Sequence, residues 1–193
     1  MIAIIDYGAG NIRSVQNAIS RLGAESTLTA DPLIIQDADH VIFPGVGEAS
    51  TAMQNIRNKN LDSVIKNLTQ PVLGICLGQQ LLCSSTEEGQ TKCLGIFTET
   101  VRLFPPEEKV PHMGWNNCSI LNENKLFNNI DDSNNFYFVH SYYAELGNST
   151  ISTCDYILPF SAAMNKDNFY ATQFHPEKSA GIGNQLLKNF LDL

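Results

Sequence analysis

Runs of apolar residues at Met1–Ile5, Glu25–Thr29, His40–Phe43 and Pro71–Ile75 read as strands, and segments of helical spacing separate them. Ile12, Val15, Ala18, Ile19 and Leu22 recur at the three- and four-residue spacing of one helix face, and Gly23 ends the pattern. Residues 48–68 carry a second helical pattern with polar faces. Strands that are apolar at nearly every position belong in a parallel sheet covered on both faces. The first half therefore predicts a doubly wound α/β sheet, mainly parallel.

Beyond residue 90 the pattern shortens. Segments 96–103, 110–121, 136–146, 150–157 and 168–174 are β-rich and bounded by Pro, Asn, Asp and Gly. They predict antiparallel strands added to the same sheet or folded beside it. A last helix is expected over about 180–191, with Ile182, Leu186, Leu187 and Phe190 on one side. No Ser/Gly-rich linker, repeat or low-complexity run divides the chain, so residues 1–193 are expected to form one domain.

Composition narrows the function classes. Hydrophobic residues make up 43% and charged residues 17% of the 193, enough apolar material for a buried core. Twenty acidic against twelve basic residues leave a net charge of -8, which argues against a dedicated nucleic-acid or anionic-membrane protein. It does not exclude a phosphorylated ligand held by a local cluster of donors. The start of the chain meets Asp6 too early for a secretory signal, and no apolar run approaches a bilayer span. A cytoplasmic protein is expected. Five cysteines without a C-x-x-C pair, and four histidines without H-E-x-x-H, suggest neither a disulfide framework nor a structural metal.

One cysteine has a local reason to be reactive. In Gly74-Ile75-Cys76-Leu77-Gly78 a strand runs directly into a helix, the pattern of a nucleophile elbow with cysteine in the serine position. The flanking glycines remove side chains where strand and helix close on each other, and the nucleophile projects at the carboxyl end of the sheet. The opposing reading is a buried, inert cysteine in an ordinary strand-to-helix turn. A base is available in Phe174-His175-Pro176-Glu177: in an extended segment, positions 175 and 177 face the same side. Pro176 biases His175 toward that conformation. Glu177 would orient the imidazole while His175 accepts the thiol proton. His140 competes as the base but has no carboxylate beside it in sequence.

Phe43-Pro44-Gly45-Val46-Gly47 follows a predicted strand and can aim backbone N–H groups at a developing oxyanion, beside the N–H of Leu77. A phosphate cradle is the rival reading, although the Lys and Ser/Thr of a P-loop are missing. Tyr7–Asn11 is read as a tight turn at the sheet's carboxyl edge.

The pair Gly74-Ile75-Cys76-Leu77-Gly78-x-Gln80 and Phe174-His175-Pro176-Glu177 resembles the class I glutamine amidotransferases, a flavodoxin-like fold. Asp6-Tyr7-Gly8-x-Gly10-Asn11, Pro44-Gly45-Val46-Gly47, Pro111-His112-Met113-Gly114-Trp115-Asn116 and Tyr137–Tyr142 are similar to the glutaminase subunits of imidazole glycerol phosphate synthases. The resemblance implies a thioester mechanism on L-glutamine, with Cys76 as nucleophile and no cofactor. It implies that Gly45, Val46, Gly47, Leu77, Gln80, Ser141 and Tyr142 surround the substrate, with Glu88 toward its amino group. It also implies a heterodimer with a (β/α)₈-barrel cyclase, with Trp115, Asn116 and Tyr142 at the interface. The two glycines flanking Val46 let its peptide reorient, so this loop is expected to be the point of control by the partner. Gln79 departs from the methionine common in the family and is expected to face away from the thiol. The alternatives are a glutaminase subunit of anthranilate or aminodeoxychorismate synthase, a cysteine peptidase on a related sheet, and a non-catalytic scaffold module.

Overall fold

The computed structural model describes residues 1–8, 10 and 12–193. Ala9 and Asn11, in the segment read as a tight turn, lie outside them. In chain order the elements are β1 (Ile2–Ile5), α1 (Ile12–Arg21), β2 (Ser26–Thr29), α2 (Pro32–Asp37), β3 (His40–Gly45), α3 (Ala49–Asn58), α4 (Leu61–Lys66), β4 (Val72–Cys76) and α5 (Leu77–Leu82). There follow β5 (Ser85–Thr86), β6 (Thr91–Lys92), β7 (Thr100–Leu103), β8 (His112–Asn117), β9 (Ser119–Ile120), β10 (Asn135–His140) and β11 (Tyr142–Ala144). The chain closes with β12 (Thr150–Tyr156), β13 (Leu158–Lys166), β14 (Phe169–Thr172) and α6 (Ala180–Leu191).

Eight strands form the main sheet in the order β2-β1-β3-β4-β14-β13-β12-β9. The first five are parallel, and β13, β12 and β9 extend them antiparallel. The later strands therefore divide. Four join the main sheet, β14 parallel to β4 rather than in the expected antiparallel sense and β13, β12 and β9 antiparallel, while β10-β8 and β11-β7-β5-β6 form smaller sheets. Both faces of the parallel part are buried. Along β1, Ala3 and Ile5 join one apolar cluster with Phe43, Met53 and Leu81, while Ile2 and Ile4 join another with Val15, Phe174 and Phe190. That double burial is the physical origin of the continuous apolar runs.

The structure departs from the sequence pattern at three places. The pattern over 48–68 is two helices, because Asn60 adopts a left-handed φ of 56° between α3 and α4. The short helix α2 has no extended periodicity, yet Asp31 caps it by accepting from the Leu33 N–H, and Pro32 starts it. The longest strand, β13, follows β12 after a single residue, with no break in the pattern to mark it. Its hairpin with β12 turns at Ile157, at φ 64°, so no Gly, Asn or Asp marks the turn.

Two registers build the site. Gly45 pairs with Cys76 across β3 and β4, which sets the glycine loop beside the elbow. Thr172 pairs with Ile75 across β14 and β4, so the chain leaving β14 passes over the same residue.

Candidate active site

Cys76 has φ 54° and ψ -107° at the junction of β4 and α5, the sharply bent conformation of an elbow. Glycine at 78 is dictated by backbone: a Cβ there would strike the Phe43 carbonyl. At Gly74 a Cβ would come within 2.7 Å of Leu82 Cδ1 and 3.0 Å of the Gly78 carbonyl carbon. Cys76 opens on a cavity of about 330 Å³ that also presents Val46, Gly47, Leu77, Gln80, Glu88, Ser141 and Tyr142. The other four cysteines are buried away from it. Burial drives the Cys83 thiol well up, with Cys93 and Glu99 adding to it, and it carries Cys93 up to about 11.

Behind Cys76, His175 and Glu177 share a narrow recess with Gly45 and Pro44. Nδ1 of His175 lies 2.8 Å from Glu177 Oε1, and both side chains are 1% exposed. The contact expected from an extended segment is present, but the backbone differs. Pro176–Lys178 form a 3₁₀ turn, with only His175 extended (φ -99°, ψ 95°). Ser179 closes that turn: its N–H donates to Pro176 O and its hydroxyl to His175 O. Its hydroxyl also accepts from Tyr137 N–H, while His175 N–H donates to Tyr137 O, so the turn is tied to β10. Nε2 of His175 is buried with no completed hydrogen bond and interacts with Cys76. Burial pulls the imidazole pKa down, but its interactions with Cys76 and Glu177 and their charges outweigh it and carry the group up to about 10.

His140 also faces the cavity, in a different state. Nδ1 lies 2.7 Å from the Tyr142 carbonyl and Nε2 3.0 Å from His112 Nδ1. A carbonyl only accepts, so Nδ1 of His140 carries the proton and its Nε2 accepts from His112. Burial lowers its pKa to about 3, against the opposing effect of the Tyr142 bond, and the ring is neutral. It is already used and has no carboxylate partner, so His175 is the better placed base.

On the opposite wall Gly47 takes φ 115°. The loop's entrance is held by Tyr7, whose hydroxyl donates to Pro44 O at 2.7 Å. Tyr7 is buried, and burial followed by the nearby Cys76 raises its phenol. Glu88 accepts the Ala49 N–H at 2.8 Å. Burial raises its carboxyl, the Ala49 bond opposes this, and Glu48 raises it further. Gln79 points elsewhere, donating to Ser161 O at 3.1 Å on β13. Trp115 and Asn116 lie outside the cavity on β8. Trp115 is 55% exposed and meets Tyr137 edge-on, while Asn116 donates to Asp155 O.

Tyr7, His112 and Gln173 stand within or beside the motifs of the sequence, but nothing local says what they touch. Among the described residues no cluster of three or more His, Cys, Asp or Glu could hold a metal ion, and no helix is long and apolar enough to cross a membrane. A bent cysteine and an imidazole held by a carboxylate, beside a cavity lined by Val46, Gly47 and Leu77, can perform acyl substitution on a small amide.

The family model of class-I glutamine amidotransferases matches residues 3–193. The chain is 55% identical to the imidazole glycerol phosphate synthase subunit HisH of Bacteroides thetaiotaomicron, covering 100% of this chain and 99% of the relative. The same identity and coverage relate it to the HisH subunit of Bacteroides fragilis. Among solved structures, a glutamine amidotransferase aligns at a TM-score of 0.77 and 17% identity, over 100% of this chain and 98% of the other. At that identity the likeness concerns the fold.

Proposed function

The chain belongs to the class-I glutamine amidotransferase family, and within it to the HisH glutaminase subunits of imidazole glycerol phosphate synthase; we propose that Cys76, His175 and Glu177 are its catalytic triad. Glutamine is the substrate of such a subunit, and the synthase requires a second one. In the proposed cycle the Cys76 sulfur bonds to the side-chain carbonyl carbon of glutamine, and His175 holds the proton taken from the thiol. The tetrahedral oxyanion is met by the Leu77 N–H and an N–H of the Gly45–Gly47 loop. As the C–N bond breaks, His175 delivers the proton to the departing ammonia, leaving a glutamyl thioester. Water, deprotonated by His175, adds to that thioester, and glutamate leaves as the thiol is restored. Glu177 keeps the imidazole in its working tautomer.

The observation that carries this reading is the fully buried His175–Glu177 contact at 2.8 Å behind an elbow cysteine that opens on the cavity. The cavity residues Gln80, Glu88, Ser141 and Tyr142 supply the polar groups that a glutamine backbone and carboxamide need. Val46 and Gly47 form the opposite wall, while Gly45 lies in the recess shared by His175 and Glu177.

The ammonia is proposed to pass to a (β/α)₈-barrel cyclase subunit that docks at Trp115 on the exposed face of β8; Asn116, on the other face of that strand, and Tyr142, on β11 at the cavity, would border the contact. There it would serve formation of imidazole glycerol phosphate and aminoimidazole carboxamide ribonucleotide in the cytoplasm. The whole of residues 1–193 is read as one glutaminase domain. Cys76→Ser tests the assignment in the assembled synthase. Glutamine-dependent synthesis is expected to vanish while ammonia-dependent synthesis continues at the wild-type rate. Comparable glutamine-driven rates in variant and wild type would remove Cys76 from the mechanism.

A further inference from the structure

We propose that Gln173 is a further catalytic residue, whose carboxamide N–H donates to the Cys76 sulfur and steadies it as charge builds there. This rests on the glutaminase reading of the site. Gln173 immediately follows β14, and the register of that strand on β4 brings it over the elbow. It is fully buried, with Nε2 3.7 Å from Cys76 Sγ and Oε1 2.9 Å from Gln80 Nε2.

The sense of this donation is forced rather than assigned by choice. Gln80 Nε2 also lies 3.0 Å from the Tyr142 carbonyl, which can only accept. The nitrogen of Gln80 must therefore face Tyr142 O, and its second N–H must meet an acceptor on Gln173. Gln173 then presents its oxygen to Gln80 and its nitrogen to the sulfur. Tyr142 O is held from the other side by His140, which accepts from His112. One backbone carbonyl thus orients two carboxamides, and the second of them ends on the nucleophile.

Such a donor interacts most strongly when the sulfur is negative. It stabilises the sulfur before attack, loosens when the thioester forms, and strengthens again as water expels the sulfur in the second half of the cycle. Gln173 itself gains and loses no proton.

The test is the pH profile of Cys76 alkylation by iodoacetamide in the full chain, read by mass spectrometry on the Cys76 peptide, beside kcat and KM for glutamine in the assembled synthase. Gln173→Met is expected to move the alkylation half-point up by about one pH unit, and to lower kcat about 10–100-fold with KM within about threefold. Gln173→Glu keeps the acceptor for Gln80 but sets a carboxylate beside the sulfur, and is expected to shift the half-point further. Gln80→Leu removes only the orienting partner and should give a smaller shift in the same direction. If Gln173→Met does not fold, Gln173→Glu decides the matter. Alkylation profiles of the variants superimposed on wild type would overturn the proposal. A wild-type synthase that hydrolyses no glutamine would overturn the glutaminase reading instead, while alkylation would still report on Gln173.

Discussion

On the Cys76 side of the cavity, Gly74 and Gly78 sit where any side chain would collide with backbone or a packed leucine. On the opposite side, Gly47 at φ 115° has nothing within 4 Å of the place a Cβ would occupy. Glycine serves close packing at Gly74, Gly78 and also Gly45, where a Cβ would strike the Tyr7 hydroxyl, and conformational freedom at Gly47. Cys76, His175 and Glu177, the proposed triad, all belong to the packed wall, whereas Val46 and Gly47 belong to the open one. Under the proposed mechanism, a site divided this way holds Cys76 and His175 ready while a partner adjusts only the proposed oxyanion donors. Losing one such donor lowers turnover about 10²–10³-fold.

The largest effect expected on the packed wall comes from the base. His175→Ala should lower glutamine turnover about 10²–10⁴-fold, with Glu177→Gln losing less, because the carboxylate orients and does not transfer the proton. Parallel kinetics of the two variants check the order, and a more damaging Glu177→Gln would reverse the roles.

The glycines test the division directly. Gly78→Ala should cost about 3 kcal/mol of stability, since backbone cannot yield to the new methyl group. Gly47→Ala should cost only about 1 kcal/mol, the strain of a positive φ, yet remove most of the stimulation of glutamine hydrolysis expected from the proposed cyclase partner. Melting curves and glutaminase rates, with and without the partner, measure both. Equal destabilisation by the two substitutions would break the comparison.

The packed wall extends to His112 and His140, both buried and neutral. Burial lowers His112 to about 4 and, against the Tyr142 bond, His140 to about 3. Below about pH 6.5 the unfolded chain takes up protons that these folded rings refuse, so their contribution to stability is lost as pH falls from there. By pH 5.5 the loss is about 1 kcal/mol for each ring, or about 2–4 °C of Tm per kcal/mol. His175, with its raised value of about 10, behaves oppositely: its contribution is full below pH 6.5 and fades as pH rises toward 10. His112→Phe should preserve the stack between Phe138 and Tyr156 and flatten the acid limb. An unchanged acid limb would show that the His112 ring takes up a proton without cost.

The smallest effect is expected at Gln79. It gives one hydrogen bond to Ser161 O, and its own buried carbonyl meets no donor. Gln79→Met removes a bond and an unmet acceptor together, so stability should change by less than about 1 kcal/mol and turnover by less than about twofold. A larger loss of turnover would place Gln79 in the site despite its direction.

How much of this was legible follows from the reach of each signal. The apolar runs of β1, β3 and β4, the glycine-flanked elbow and the His-Pro-Glu triplet are local patterns, and neighbouring residues are enough to define them. Where a backbone choice depended on distant contacts, the pattern misled. The extended geometry inferred for residues 175–177 became a 3₁₀ turn because Ser179 and Tyr137 close it. The hairpin into β13 escaped notice because Ile157 takes a left-handed turn that its side chain does not advertise.

By itself the chain's sequence determined the parallel core, the bent cysteine and the identity of its partner histidine, since strand burial, steric relief and proline restriction act within a few residues. Tertiary structure alone decided that Gln173 ends on Cys76 through Gln80 and the Tyr142 carbonyl, and that Tyr7 fastens Pro44. Those contacts join residues far apart in the chain, and a side-chain amide or phenol carries no local mark of which acceptor it will meet. The registers of β3 and β14 on β4 settle the choice, because only once these strands are paired does each donor face an acceptor.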